Sequence, residues 1–165
     1  MQVSGYTRAV AAEHMAGMSG SALHANVFIG LLATTLARRG IRPVQLLGAG
    51  LSILLVMLAL IVNGGLQQSY LLWLVYGTFS SFGTLAYSQA AAGFPLSLSG
   101  RANTAFNLMV FIGAFGVQWG LGLLIDLLQG YGQSPAMAHR SAFLVLLATQ
   151  APSLIWFWVA GRWRR

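Results

Sequence analysis

Few side chains in this sequence can do chemistry, and their spacing limits which chemistry that is. There are three His, one Glu, one Asp and no Cys. The missing Cys excludes disulfides, thiolate nucleophiles and thiolate metal sites. His14, His24 and His139 lack metal-ligand spacing. No two carboxylates share one apolar run, and neither an HExxH nor a P-loop pattern occurs. We therefore expect no enzyme activity and no cofactor. Two titratable groups remain of interest. His24 lies in an apolar stretch, and an imidazole pKa of about 6.5 makes it a candidate proton carrier; the plainer role is a neutral His bonded to a neighbouring helix. Asp126 is the sole acid within or near the end of an apolar run, and is a candidate coupling residue. Its closeness to the polar segment at Gly130 favours solvation at a membrane interface. An embedded enzyme would need a titratable pair at one depth, and only His24 with Asp126 offers one.

The elements that must position these groups follow from composition. The 165 residues are 57% hydrophobic and 7% charged, with mean hydropathy +0.72. Soluble domains carry roughly 25% charge. A helix needs about 20 apolar residues to cross roughly 30 Å of hydrocarbon. Five segments meet that length, at about 15–37, 44–62, 70–93, 104–128 and 141–161. A single transmembrane domain over 1–165, all-α, with a lipid bilayer as its main partner, is expected. The runs are continuously apolar, so a barrel is excluded. Thr7 is placed to cap a first helix that begins in water near Arg8. Gly40, Pro43, Gly130, Gly132 and Pro135 mark turns.

Nine Arg and no Lys give a formal charge of +7. In a soluble domain that balance would suggest nucleic acid. Here Arg residues fall between apolar runs, so they report topology instead, and no nucleic-acid partner is expected. Alternate sides hold seven and two Arg. The rule that positive loops stay inside places the N-terminus outside and the C-terminus in the cytoplasm. Arg38, Arg39 and Arg101 then lie in cytoplasmic loops. Trp156, Trp158 and Trp163 form an inner aromatic belt, and Trp73 sits near the outer surface.

Polar side chains at bilayer depth are costly and usually face protein or a water-filled cavity. The first span has Ser21, His24 and Thr35 within about 60° of one face at 100° per residue. The third carries Tyr76, Ser80, Thr84 and Tyr87 at helical spacing, with Gln89 beyond. The fourth has Asn103, Asn107 and Gln118 on a similar face. These three spans are expected to line a cavity, with the second and fifth as lipid-facing scaffold. The competing role is adhesive, because such side chains also join membrane helices at about 0.6 kcal/mol each. That role is favoured for Thr84 and Thr149, whose hydroxyls can bond their own helix. Thr149, Gln150 and Ser153 surround Pro152 and are placed to satisfy backbone groups freed by a kink. Gly113, Gly116, Gly120 and Gly122 permit tight packing of the fourth span.

Two segments carry a resemblance. PLSLSGRANTAFNLMVFIGAFGVQWGLGLLIDLL, Pro95 to Leu128, is similar to the inner loop and eleventh helix of bacterial major facilitator superfamily transporters. There a Gly-Arg-x-Asn-Thr-Ala-x-Asn run, here Gly100 to Asn107, opens the helix. GYTRAVAAEHMAGMSGSALHANVFIGLLATTLARRGIRP, Gly5 to Pro43, resembles the outer loop, eighth helix and inner loop. The resemblance implies that the five spans are helices eight to twelve of a C-terminal half. It implies that the first, third and fourth line the path of a small solute. His24, Tyr76, Ser80, Tyr87, Asn107 and Gln118 are then pathway residues. It also implies secondary transport by alternating access, possible only with the seven helices that have no counterpart here. The chain departs from the pattern after Gly30. Thr34 and Thr35 stand where the family often has an Asp-Arg pair, although Arg38 and Arg39 follow. The alternative is a stand-alone five-span assembly or binding protein, working with itself or with a separate N-terminal half. Oligomer size in mild detergent separates the two.

Overall fold

A computed structural model describes residues 7–64 and 70–162. All regular structure among them is helical: α1 (Arg8–Arg38), α2 (Pro43–Gly64), α3 (Tyr70–Ser80), α4 (Leu85–Ala92), α5 (Leu96–Gly130) and α6 (Pro135–Arg162), with a 3-10 turn over Ser81–Thr84. α3, the turn and α4 form one uninterrupted helical stretch from Tyr70 to Ala92. Among the described residues, four helices are long and apolar enough to cross a membrane, namely α1, α2, α5 and α6. The architecture is that of a helical membrane protein. Trp163, Arg164 and Arg165, together with Gly5, lie outside the described residues.

Local backbone chemistry sets the helix ends. The Thr7 hydroxyl accepts from Val10 N at 3.3 Å and caps α1. α1 stops where Gly40 takes φ +84°, so that Gly40 N reaches Ala37 O and Ile41 N reaches Leu36 O, both at 3.0 Å. This closing pattern needs a residue free to adopt left-handed φ. Gly132, at φ +88°, ends α5 in the same way through Gly132 N to Gln129 O and Gln133 N to Leu128 O. Pro43 and Pro135 then open the next helices, where a missing N–H costs nothing. Gln45 Oε1 accepts from Arg42 N at 2.9 Å, and Ser134 Oγ accepts from Met137 N at 3.4 Å.

Three expected loops are shorter than the apolar pattern implies. α5 begins at Leu96, directly after Pro95, so Arg101 is a helical residue and not a loop one. Arg38 is the last residue of α1, and Arg39 is its C-cap. Arg140 lies within α6. The physical reason is common to all: a helix keeps its hydrogen bonds beyond the hydrocarbon slab, so apolar length underestimates helix length.

Packing is organised around the α3–α4 stretch. α1 lies against α3 and the 3-10 turn; α2 lies against α3, α4 and α6; α5 touches α4 and α6. α1 shares no packed face with α5 or α6. α2 is not a lipid-facing scaffold: Leu47, Leu58, Ile61 and Val62 are buried, and Leu58 is the largest fully buried side chain among those described. α5, by contrast, has no buried residue.

Candidate functional site

The α1–α3 seam is built from small residues and hydroxyls. A Cβ on Gly77 would meet Met18 Cγ at 2.6 Å and Met18 O at 2.8 Å, so only glycine permits this approach. Ser21 Oγ donates to Met18 O at 2.8 Å in its own helix and lies 3.2 Å from Leu74 O across the seam. From the other side, Ser81 Oγ donates to Ala22 O at 2.9 Å. His14 stacks on Tyr70, with ring centroids 4.2 Å apart. Ser21 is therefore adhesive. Ser81 was not among the residues the sequence pattern marked. It sits one position off the Tyr76–Ser80–Thr84–Tyr87 stripe, where the 3-10 turn advances side chains by about 120° instead of 100°.

Four further polar side chains of α1 turn onto their own backbone. His24 Nδ1 lies 2.8 Å from Gly20 O, Thr34 and Thr35 donate to Leu31 O, and Asn26 donates to Ala22 O. His24 is exposed and bonds its own helix, not a neighbouring one. No hydrogen bond or ion pair joins His24 to Asp126, and the helices that carry them share no packed face. Among the described residues no cluster of three His or acidic side chains could hold a metal ion.

On the third segment Ser80 donates to Gly77 O, and Thr84 donates to Ser81 O. Both residues are exposed. Tyr76 is half-buried and meets Trp73 edge-on at 5.6 Å. Tyr87 is the one stripe residue that reaches another predicted pathway residue: its phenol donates to Asn107 Oδ1 at 2.9 Å, while its ring meets Phe106 edge-on at 4.9 Å. One turn earlier on α5, Asn103 Oδ1 is buried without a hydrogen-bond partner. Further along, Gln118 and Asp126 are exposed.

The structure thus brings Tyr87 and Asn107 together and leaves the other pathway candidates apart. α1 packs against α3 and the 3-10 turn, whereas α5 packs against α4 and α6. A cleft of about 290 Å³ lies elsewhere, between α2 and α6, lined by Leu51, Leu54, Leu55, Leu154 and Phe157 with Gln150 and Ser153. Beside it Trp158 Nε1 donates to Ser52 Oγ at 3.1 Å, and Ser52 Oγ in turn donates to Gly48 O at 2.7 Å. Around Pro152, Ser153 bonds Thr149 O and Thr149 bonds Leu146 O. Those hydroxyls do not serve the Ala148 carbonyl, whose usual donor the proline removes.

The glycines of α5 are unused inside the chain. Gly113, Gly116 and Gly120 share one helix face at about 100° per residue. Apart from chain neighbours and the helix's own backbone, no described atom lies within 4 Å of a Cβ built on any of them, or on Gly122. No family model, no curated protein and no solved structure matches this chain.

Proposed function

We propose that the chain is the C-terminal portion of a secondary transporter of the major facilitator type, comprising five membrane spans, with Tyr70–Ala92 as the third. Its parent moves a small solute by alternating access, and the portion alone is inactive. The supporting observation is α5: a 35-residue helix with no buried residue, tied to α4 through Tyr87 and Asn107. Ser80, Thr84, Asn107 and Gln118 are all exposed on that part of the bundle. Polar groups at bilayer depth without cover inside the chain suit the wall of an aqueous path whose opposite wall is another set of helices. The Gly-Arg-Ala-Asn-Thr-Ala-Phe-Asn run at Gly100–Asn107 supports the same reading. In this view the basic end faces the cytoplasm and the membrane is a bacterial inner membrane.

The test is the reading frame upstream of the Met1 codon. About seven further apolar spans, ending in one that leads into Gly5, are expected. An upstream region with no apolar frame, and a ribosome-binding site before Met1, would end this reading. It would favour the second one, a stand-alone assembly protein. The bare Gly113–Gly116–Gly120 face favours that alternative, since glycines let helices approach closely. A defined oligomer in mild detergent is its expected signature.

A further inference from the structure

The two ends of the bundle differ sharply in charge. Three contacts fix which helix ends lie together. His14 on Tyr70 sets the start of α1 beside the start of α3. Tyr87 on Asn107 sets α4 beside the first half of α5. Trp158 on Ser52 sets the end of α6 beside the first half of α2. One end therefore holds Arg8, Glu13, Asp126 and Arg140, whose formal charges cancel. The other holds Arg38, Arg39, Arg42, Arg101 and Arg162. The full sequence has only those two acids, so this second end has no acidic side chain at all.

Arg38, Arg39 and Arg42 are all exposed. They are gathered by the tight Gly40 turn, within five positions of one another. Exposed Trp158, and Trp156 at 73% exposure, mark an aromatic layer at the same end. Ile41, an apolar side chain, is exposed between the arginines. A guanidinium fork pairs with phosphate oxygens in two parallel hydrogen bonds. A basic cluster next to a spanning helix is attracted to anionic lipid. We propose that the α1–α2 turn is a docking surface for the phosphate headgroups of anionic phospholipids, held by Arg38, Arg39 and Arg42. The inference rests on a membrane-embedded chain and is independent of whether the chain transports.

The test uses the whole chain reconstituted in phosphatidylcholine vesicles that contain a small fraction of labelled phosphatidylglycerol or labelled phosphatidylcholine. Lipid held next to the protein is read by energy transfer from its tryptophans. Wild type is expected to prefer phosphatidylglycerol severalfold. The Arg38→Gln/Arg39→Gln/Arg42→Gln variant is expected to lose most of that severalfold preference at low salt, where a single Arg near an anionic surface is worth about fivefold. Arg8→Gln/Arg140→Gln, at the other end, is expected to keep it. A triple variant with wild-type preference overturns the inference, as does an equal loss in the double variant. Alkaline carbonate extraction separates the two levels. A chain released by carbonate overturns the membrane reading itself, whereas a retained chain without lipid preference overturns only the docking surface. Unchanged helical circular dichroism verifies that the variants are folded.

Discussion

The phenol of Tyr87 and the carboxamide of Asn107 are the one side-chain pair that links α4 to α5 by a hydrogen bond, at 2.9 Å, among the described residues. Twenty residues apart in sequence, they straddle the Gly93–Pro95 turn. Tyr87→Phe removes the donor and keeps the edge-on packing against Phe106. In membrane proteins such a bond is worth about 0.6 kcal/mol. A double-mutant cycle of Tyr87→Phe with Asn107→Ala, followed by unfolding in mixed micelles, is expected to give a coupling of that size. A zero coupling would mean the pair is not formed in the bilayer.

Gly77 sets how closely α1 and α3 approach. Gly77→Leu would drive its side chain into Met18 and Ser21. The expected cost is about 1–3 kcal/mol, the usual range for overpacking. Gly120→Ala on α5 meets open space and gains helix propensity of up to about 1 kcal/mol. Thermal denaturation in detergent should therefore lower the midpoint for the first variant and leave it level or raised for the second.

Gln118 is exposed on a helix that has no fully buried residue. Gln118→Leu is expected to change the stability of the isolated chain by less than about 0.5 kcal/mol. If Gln118 serves a solute path, the same change in a complete transporter should impair transport without impairing folding. Transport unaffected by the substitution would remove Gln118 from the pathway set.

The absence of Cys from the sequence makes accessibility simple to measure. Single Cys at Ser80, Thr84, Asn107 or Gln118 should react with a membrane-impermeant maleimide if water reaches that side of the bundle. Cys at Leu144 or Ile155, exposed apolar positions of α6, should not react. Equal inertness at all six sites would place the polar stripe against lipid or protein.

The turn residues were legible in the sequence because they act through local backbone chemistry, although α5 and α6 start earlier than the apolar pattern implied. Thr7, Gly40, Gly132, Pro43 and Pro135 each act within one turn of their own position. The helix interiors were less so. A uniformly apolar helix such as α2 has the same composition whether it meets lipid or protein, so its central burial left no mark. Ser81 escaped because a 3-10 turn shifts the phase of the stripe it interrupts. His24 and Thr35 matched a face by angle, yet both satisfy themselves on their own helix. Tyr87 and Asn107 came together because both lie within a few turns of a short connection.

The Ser21–Leu74 bond also has a bearing on how the chain is made. α1 is the least apolar of the four long helices, and its polar seam is answered by α3. The two partners are 53 residues apart. At a synthesis rate of ~5–20 residues per second, α3 leaves the ribosome ~3–10 s after α1. During that interval α1 must be held by the insertion machinery or by lipid without its mate. Secure residence of the first helix in the bilayer is thus decided late, when the third segment arrives. A ribosome stalled before Tyr70 is synthesised should leave α1 only loosely retained.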